Sequence, residues 1–181
     1  EYLANAEVRV VDDEGQEVAQ DGATMGEIII RGNAVMKGYY NDPEATAKAI
    51  RNGWFYSGDA AVVHPDGYIE IRDRWKDIII SGVDNIASSE GEGVLLRHPA
   101  VQEVAVVGLP HEKWGETPQA FLVLKPGAES TPEALRTFCR EHLAHFKVPH
   151  GFEFIPELPK TATGKIQKYV LRGGRANLAR Q

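Results

Sequence analysis

Asp73-Arg74-Trp75-Lys76-Asp77-Ile78-Ile79-Ile80 passes from a solvated, charged run straight into an apolar one. It reads as a linker followed by a buried strand, and it divides the chain near residues 73–77. Upstream, the pattern is mostly β. Glu7 to Asp12 alternates polar and apolar side chains, Asp13-Glu14-Gly15-Gln16 is a turn, and Gly26–Gly32 is a second strand. Asp42-Pro43-Glu44 opens a short helix through Ile50, with Asp at the N-cap and Pro at the first helical position, and Asn52-Gly53 ends it. Strands at Ala60–His64 and Tyr68–Arg72 flank Pro65-Asp66-Gly67, a hairpin turn.

Downstream, Ile78-Ile79-Ile80 reads as a buried strand, and a glycine turn and a helix from about Ser88 to Arg97 follow. Val101–Leu109 and Gln119–Leu124 read as core strands. Thr131–Leu143 reads as an amphipathic helix that turns Leu135, Phe138, Cys139 and Leu143 inward. A strand at Phe152–Ile155 and a short helix at Ile166–Arg172 complete the order. The expected class is α+β: a small, mostly β subdomain over residues 1–73, a hinge at 74–77, and a compact mixed α+β domain over 78–181.

Composition suits a packed protein of this kind. The 181 residues are 43% hydrophobic and 25% charged, with a net charge of −6, which argues against a nucleic-acid binder. The lone cysteine, Cys139, cannot close an internal disulfide, and no run reaches the length of a membrane span, so a cytoplasmic setting is expected. The chain opens on Glu1 with a strand pattern beginning at Ala6. It is expected to start inside a larger protein.

Three segments stand out by their order and distance: Gly53-Trp54-Phe55-Tyr56-Ser57-Gly58-Asp59, Asp73–Asp77, and Pro159-Lys160-Thr161-Ala162-Thr163-Gly164-Lys165. With Met36-Lys37-Gly38-Tyr39-Tyr40 and Leu95-Leu96-Arg97-His98-Pro99, they resemble the adenylate-forming superfamily, and within it the acyl-CoA synthetase branch. The resemblance covers nearly the whole chain. It implies the carboxy-terminal part of an AMP-dependent ligase, in which a carboxylate attacks the α-phosphate of MgATP and a CoA thiol then displaces AMP. A fatty acid is the expected substrate type. The first step joins two anions and so requires cationic help and firm positioning of the nucleotide.

The resemblance assigns residues one by one. Asp59 matches the aspartate that holds the ribose diol; read alone, it is a turn aspartate capping backbone amides. Arg74 matches an arginine that also meets the ribose, or else pairs with Asp73 or Asp77 in a charged linker. Lys76 stands at the hinge position, where the backbone must change conformation as a small lid domain swings; a plain linker lysine fits equally. Lys165 matches the catalytic lysine that bridges carboxylate and α-phosphate, delivered by a flexible loop, while Lys160 reads as a surface charge. No metal ligand is assigned in this chain. The triphosphate, Mg2+, adenine and carboxylate sites belong in the family to an upstream large domain, which is therefore the expected partner.

By the same resemblance, Ser81, Gly82 and Val83 are expected in the loop that lines the CoA channel, and here the sequence departs from the family. Counting back from Glu90 places Val83 where CoA ligases carry glycine. A valine there is expected to crowd a thiol arm and to resist a positive φ. Gly91 and Gly93 are likewise unusual within a helix. Two other functions therefore stand beside the CoA ligase. The acyl-adenylate passes to a carrier protein or is not thiolated at all, or the isolated chain is a non-catalytic binding module.

Overall fold

The computed structural model describes residues 5–176, which fall into two compact units, Glu1–Lys76 and Asp77–Gln181. Among the described residues, the first unit is one sheet with a single helix. Strands β1 (Ala6–Val11), β2 (Met25–Gly32), β3 (Ile50–Arg51), β4 (Trp54–Val63) and β5 (Ile69–Arg74) pair antiparallel in the order β1-β2-β4-β3, with β5 also on β4. Val10, Ile28, Ala61 and Val63 form its core, with Val18, Ile30 and Ile69 packed against them.

Helix α1 (Pro43–Ala49) begins as its sequence directs: the Asp42 carboxylate accepts the Ala45 amide at 2.8 Å and Pro43 sits in the first turn. Its end differs from expectation. Asn52 and Gly53 have φ of +51° and +79° and form the two-residue loop between β3 and β4, where Arg51 faces Trp54. Asn-Gly is the pair best suited to two left-handed residues in a hairpin, so it turns a strand rather than stopping the helix. Pro65-Asp66-Gly67 turns β4 into β5, closed by the His64 amide on the Tyr68 carbonyl at 2.8 Å.

A 3-10 turn over Trp75–Asp77 spans the divide between the units. In the second unit, β6 (Ile79–Ser81), β7 (Asp84–Ile86), β8 (Val101–His111), β9 (Gly115–Leu124) and β10 (Gly151–Phe154) form a sheet ordered β10-β9-β6-β7, with β8 on β9. All pairs are antiparallel except β9 with β10. Helices α2 (Ser88–Leu95) and α3 (Pro132–Arg140) supply Val94, Leu95, Leu135 and Cys139 to a core that includes Val104, Val106 and Leu122. Helix α4 (Lys168–Ala176) supplies Leu171 to a second core with Ala105, Val107, Leu109 and Phe121. Alternate residues of β8 thus enter different cores, which is why its apolar run is unbroken: both faces of the strand are covered.

Two expectations change here. Ile80 is 58% exposed although Ile79 is fully buried, because a strand turns successive side chains to opposite faces. The α3 helix stops at Arg140, yet Leu143 still packs on the core from the turn that follows.

Candidate functional site

In the first unit the decisive feature is a bulge in β4. Glu27 pairs with Ala60 and Ile29 with Tyr56, so Ile28 alone stands opposite Ser57-Gly58-Asp59. Gly58 takes a φ of +73°, a backbone state that glycine reaches without strain. Its amide donates to Glu27 Oε1 at 2.9 Å, and the Asp59 amide donates to Ser57 Oγ at 3.1 Å. Across β4, Asp59 is the register partner of Arg74, and Arg74 Nη1 donates to Asp59 Oδ1 at 2.6 Å. Asp59 therefore takes a guanidinium, not the backbone amides of a turn. Arg74 also donates its backbone amide to Asp73 Oδ1 at 2.8 Å, and Asp77 is buried and accepts from Arg172 at 2.9 Å.

In the second unit, Lys165 sits on a turn whose backbone is closed on itself. The Thr161 amide donates to the Lys165 carbonyl at 2.8 Å, the Lys165 amide to Thr161 Oγ1 at 3.1 Å, and the Gly164 amide to the Thr161 carbonyl at 2.9 Å. A bridge between Lys160 and Ile166 shuts the base of the loop. The expected pliable loop is thus a braced one. Lys160 is exposed, as a surface charge should be, and its ammonium lies 2.8 Å from Glu103. Among the described residues, no side chain or carbonyl holds the exposed Lys165 ammonium.

Ser81, Gly82, Val83 and Asp84 form a hairpin in which Ser81 faces Asp84. The left-handed position is Gly82, with φ +65°, and Val83 projects to solvent at 98% exposure. The glycine needed by the turn is present one residue earlier than the count from Glu90 suggests, so Val83 carries no positive-φ strain. Trp114 covers Gly82: its carbonyl accepts the Gly82 amide at 2.8 Å, and its ring lies 3.3 Å from where a Cβ on Gly82 would sit. Lys76, the hinge candidate, is exposed beside buried Asp77. His142 Nδ1 lies 2.8 Å from the Phe138 carbonyl, at the helix end.

Models of two linked families match this chain: "AMP-binding enzyme" over residues 2–40 and "AMP-binding enzyme C-terminal domain" over residues 90–165. A probable CoA ligase of Humulus lupulus is 55% identical over 93% of the chain and 31% of its own length. An acetate–CoA ligase of the same plant is 54% identical over 94% of the chain and 31% of its own length. The structure of an anthranilate CoA ligase with anthranoyl-AMP superposes with a TM-score of 0.84 at 34% identity, covering 98% of this chain and 34% of that one. The chain belongs to the adenylate-forming superfamily of AMP-binding enzymes.

The chain spans about a third of the length of the curated relatives it matches. Among its described residues, no group of three or more His, Cys, Asp or Glu side chains could hold a metal ion, and no helix is long and apolar enough to cross a membrane.

Several residues that shape the site went unremarked in the sequence. Glu27, its side chain only 14% exposed, holds the bulge, and Arg51 lies 3.9 Å from its other oxygen. Burial pushes the Glu27 carboxyl above its ordinary value, against the pull of the Gly58 amide and Arg51. Beyond the Lys165 loop, Lys168 pairs with Glu92 at 2.8 Å and donates to Ser88 at 2.6 Å, which fastens α4 to α2. Lys147 pairs with Glu90 at 2.6 Å. A charged residue inside an apolar strand was the available signal for Glu27. The ion pairs left none.

Proposed function

We propose that this chain is part of an ATP-dependent carboxylic acid–CoA ligase. In it, Asp59 and Arg74 hold the ribose of the nucleotide and Lys165 supplies the positive charge for acyl-adenylate formation. The observation that carries this is the state of Lys165. Neighbouring lysines at 147, 160 and 168 are tied to Glu90, Glu103 and Glu92, while the Lys165 ammonium has no partner among the described residues and sits on a turn held in shape by its own backbone. Such a charge is available to neutralise a carboxylate and an α-phosphate as they meet. Removing a comparable charge-stabilising donor from an active site costs about 100- to 1,000-fold in rate.

Asp59 offers a carboxylate with one oxygen already engaged by Arg74, leaving the other to accept from a ribose hydroxyl. Bound Mg2+ would shield the triphosphate charge; its ligands and the carboxylate pocket are assigned to an upstream large domain of the same protein. Lys76, exposed at the junction of the two compact units, is the proposed hinge. The loop at 81–83 serves the second half-reaction, in which the CoA thiol attacks the acyl-adenylate and AMP leaves. The relatives bear the names of ligases for acids as unlike as acetate and anthranilate, so a fatty acid is one candidate among carboxylic acids.

The test is acid-dependent ATP–pyrophosphate exchange by the intact protein that carries this chain. Exchange that requires a carboxylic acid supports the ligase. Nucleotide binding without exchange for any acid supports a binding module instead. A second acceptor is favoured by Val83, a branched side chain at the tip of the hairpin. Supplying acyl-AMP and comparing CoA thioester formation with carrier-protein loading separates the two, and Val83→Gly raises only the CoA rate if the valine obstructs the thiol.

A further inference from the structure

We propose that Glu27 is a positioning residue for nucleotide binding: it fixes the bulge that presents Asp59 to the ribose. The inference rests on the proposed ribose role of Asp59, and it concerns what sets the place of that carboxylate.

A bulge leaves strand amides without ladder partners, and each must find another acceptor. At Ser57-Gly58-Asp59, the Gly58 amide finds Glu27 Oε1 at 2.9 Å, across from the neighbouring strand. The second Glu27 oxygen faces Arg51 at 3.9 Å. The Arg51 guanidinium lies 3.5 Å from the centre of the Tyr56 ring, and Tyr56 is the residue at which β4 regains register with Ile29. Ala60, on the far side of the bulge, is paired to Glu27 itself. Glu27 thus grips the bulge at its centre and at its Asp59 end, and through Arg51 it reaches the other end. A mostly sheltered carboxylate in a strand is costly unless it is engaged in this way. Without the acceptor, Gly58 has no reason to hold its left-handed conformation, and Asp59 loses its fixed distance from Arg74.

A role confined to stability would lower the amount of folded protein without changing which nucleotide is preferred. The experiment therefore compares ATP with 2′-deoxy-ATP and 3′-deoxy-ATP in acid-dependent pyrophosphate exchange by the intact protein. The variants are Asp59→Ala, Glu27→Ala, Glu27→Asp and Glu27→Gln. Asp59→Ala loses the preference for ATP; if it keeps that preference, the ribose assignment itself is wrong, whatever Glu27 does. Glu27→Ala raises KM for ATP about tenfold, the scale of one lost hydrogen bond, and flattens the preference, with KM for the acid within about twofold. Glu27→Asp withdraws the carboxylate from Gly58 but keeps its charge, behaves like Glu27→Ala, and decides the question if the alanine variant does not fold. Glu27→Gln retains an acceptor oxygen and restores the preference. Full ribose preference in a folded Glu27→Ala or Glu27→Asp protein overturns the proposal, as does a Glu27→Gln protein no better than Glu27→Ala.

Discussion

Arg74 Nη1 meets Asp59 Oδ1 at 2.6 Å, and the two residues are direct register partners on adjacent strands. The regular geometry of an antiparallel pair thus places a guanidinium beside a carboxylate that the sequence separates by a hairpin. Both side chains remain reachable from solvent, at 59% and 28% exposure. An exposed pair of this kind contributes little to stability, about 0.2–1 kcal/mol. Arg74→Ala is therefore expected to leave the melting temperature of the intact protein nearly unchanged while raising KM for ATP about tenfold. A large loss of stability with an unchanged KM would show that the pair serves the fold instead.

Glu27 gives a pH prediction. Burial is the main cause that lifts its carboxyl above 4.5, so the folded chain holds that proton more tightly than the unfolded one. The sign follows: as pH rises through the interval just above 4.5, the folded state loses stability from this group. Glu27→Gln removes the titration and keeps an acceptor for Gly58. Denaturant unfolding from pH 4 to 7 is expected to show the glutamine variant gaining on the wild type as pH rises. A difference that stays constant with pH would contradict this assignment.

The helix glycines differ in consequence. A Cβ on Gly93 meets nothing within 4 Å, whereas one on buried Gly91 meets Val106 at 3.5 Å, an ordinary contact. Gly93→Ala is expected to stabilise the chain by about 0.8–1 kcal/mol through helix propensity alone, measured by chemical denaturation. A neutral or destabilising result would show that the α2 helix is needed in a looser form.

Cys139 is fully buried on α3, and burial pushes its thiol up to about 11. The thiolate is the reactive species, so alkylation at pH 8 is expected only after unfolding. Modification of the native protein at the rate of a free thiol would contradict the packing of α3 on the sheet.

Much of this architecture is legible in the residues. Asp42-Pro43-Glu44 announces α1, Thr131-Pro132-Glu133 announces α3, and the Thr131 side chain indeed accepts the Ala134 amide at 3.2 Å. Local signals with two uses were harder. Asn52-Gly53 stops helices and also turns hairpins, and only the pairing of Arg51 with Trp54 selects the second use. The run Ile78-Ile79-Ile80 gives no period, so Ile80 could not be turned outward from sequence. The bulge at Ser57–Asp59 was out of reach because register depends on a partner strand. Arg172 and Asp77, 95 residues apart, meet only through the fold. The motif letters singled out Asp59, Arg74 and Lys165 as candidates. The surroundings that hold Asp59 in place, and that leave Lys165 without a partner among the described residues, came from tertiary contacts.

The most direct test replaces Lys165 with Ala in the intact protein and measures the two half-reactions separately. Adenylation, followed by pyrophosphate exchange, is expected to fall by about 100-fold or more, because an ammonium that neutralises two approaching anions is gone. Thioester formation from supplied acyl-AMP and CoA is expected to stay within a few-fold of wild type. An equal loss in both half-reactions, or in neither, would contradict the account.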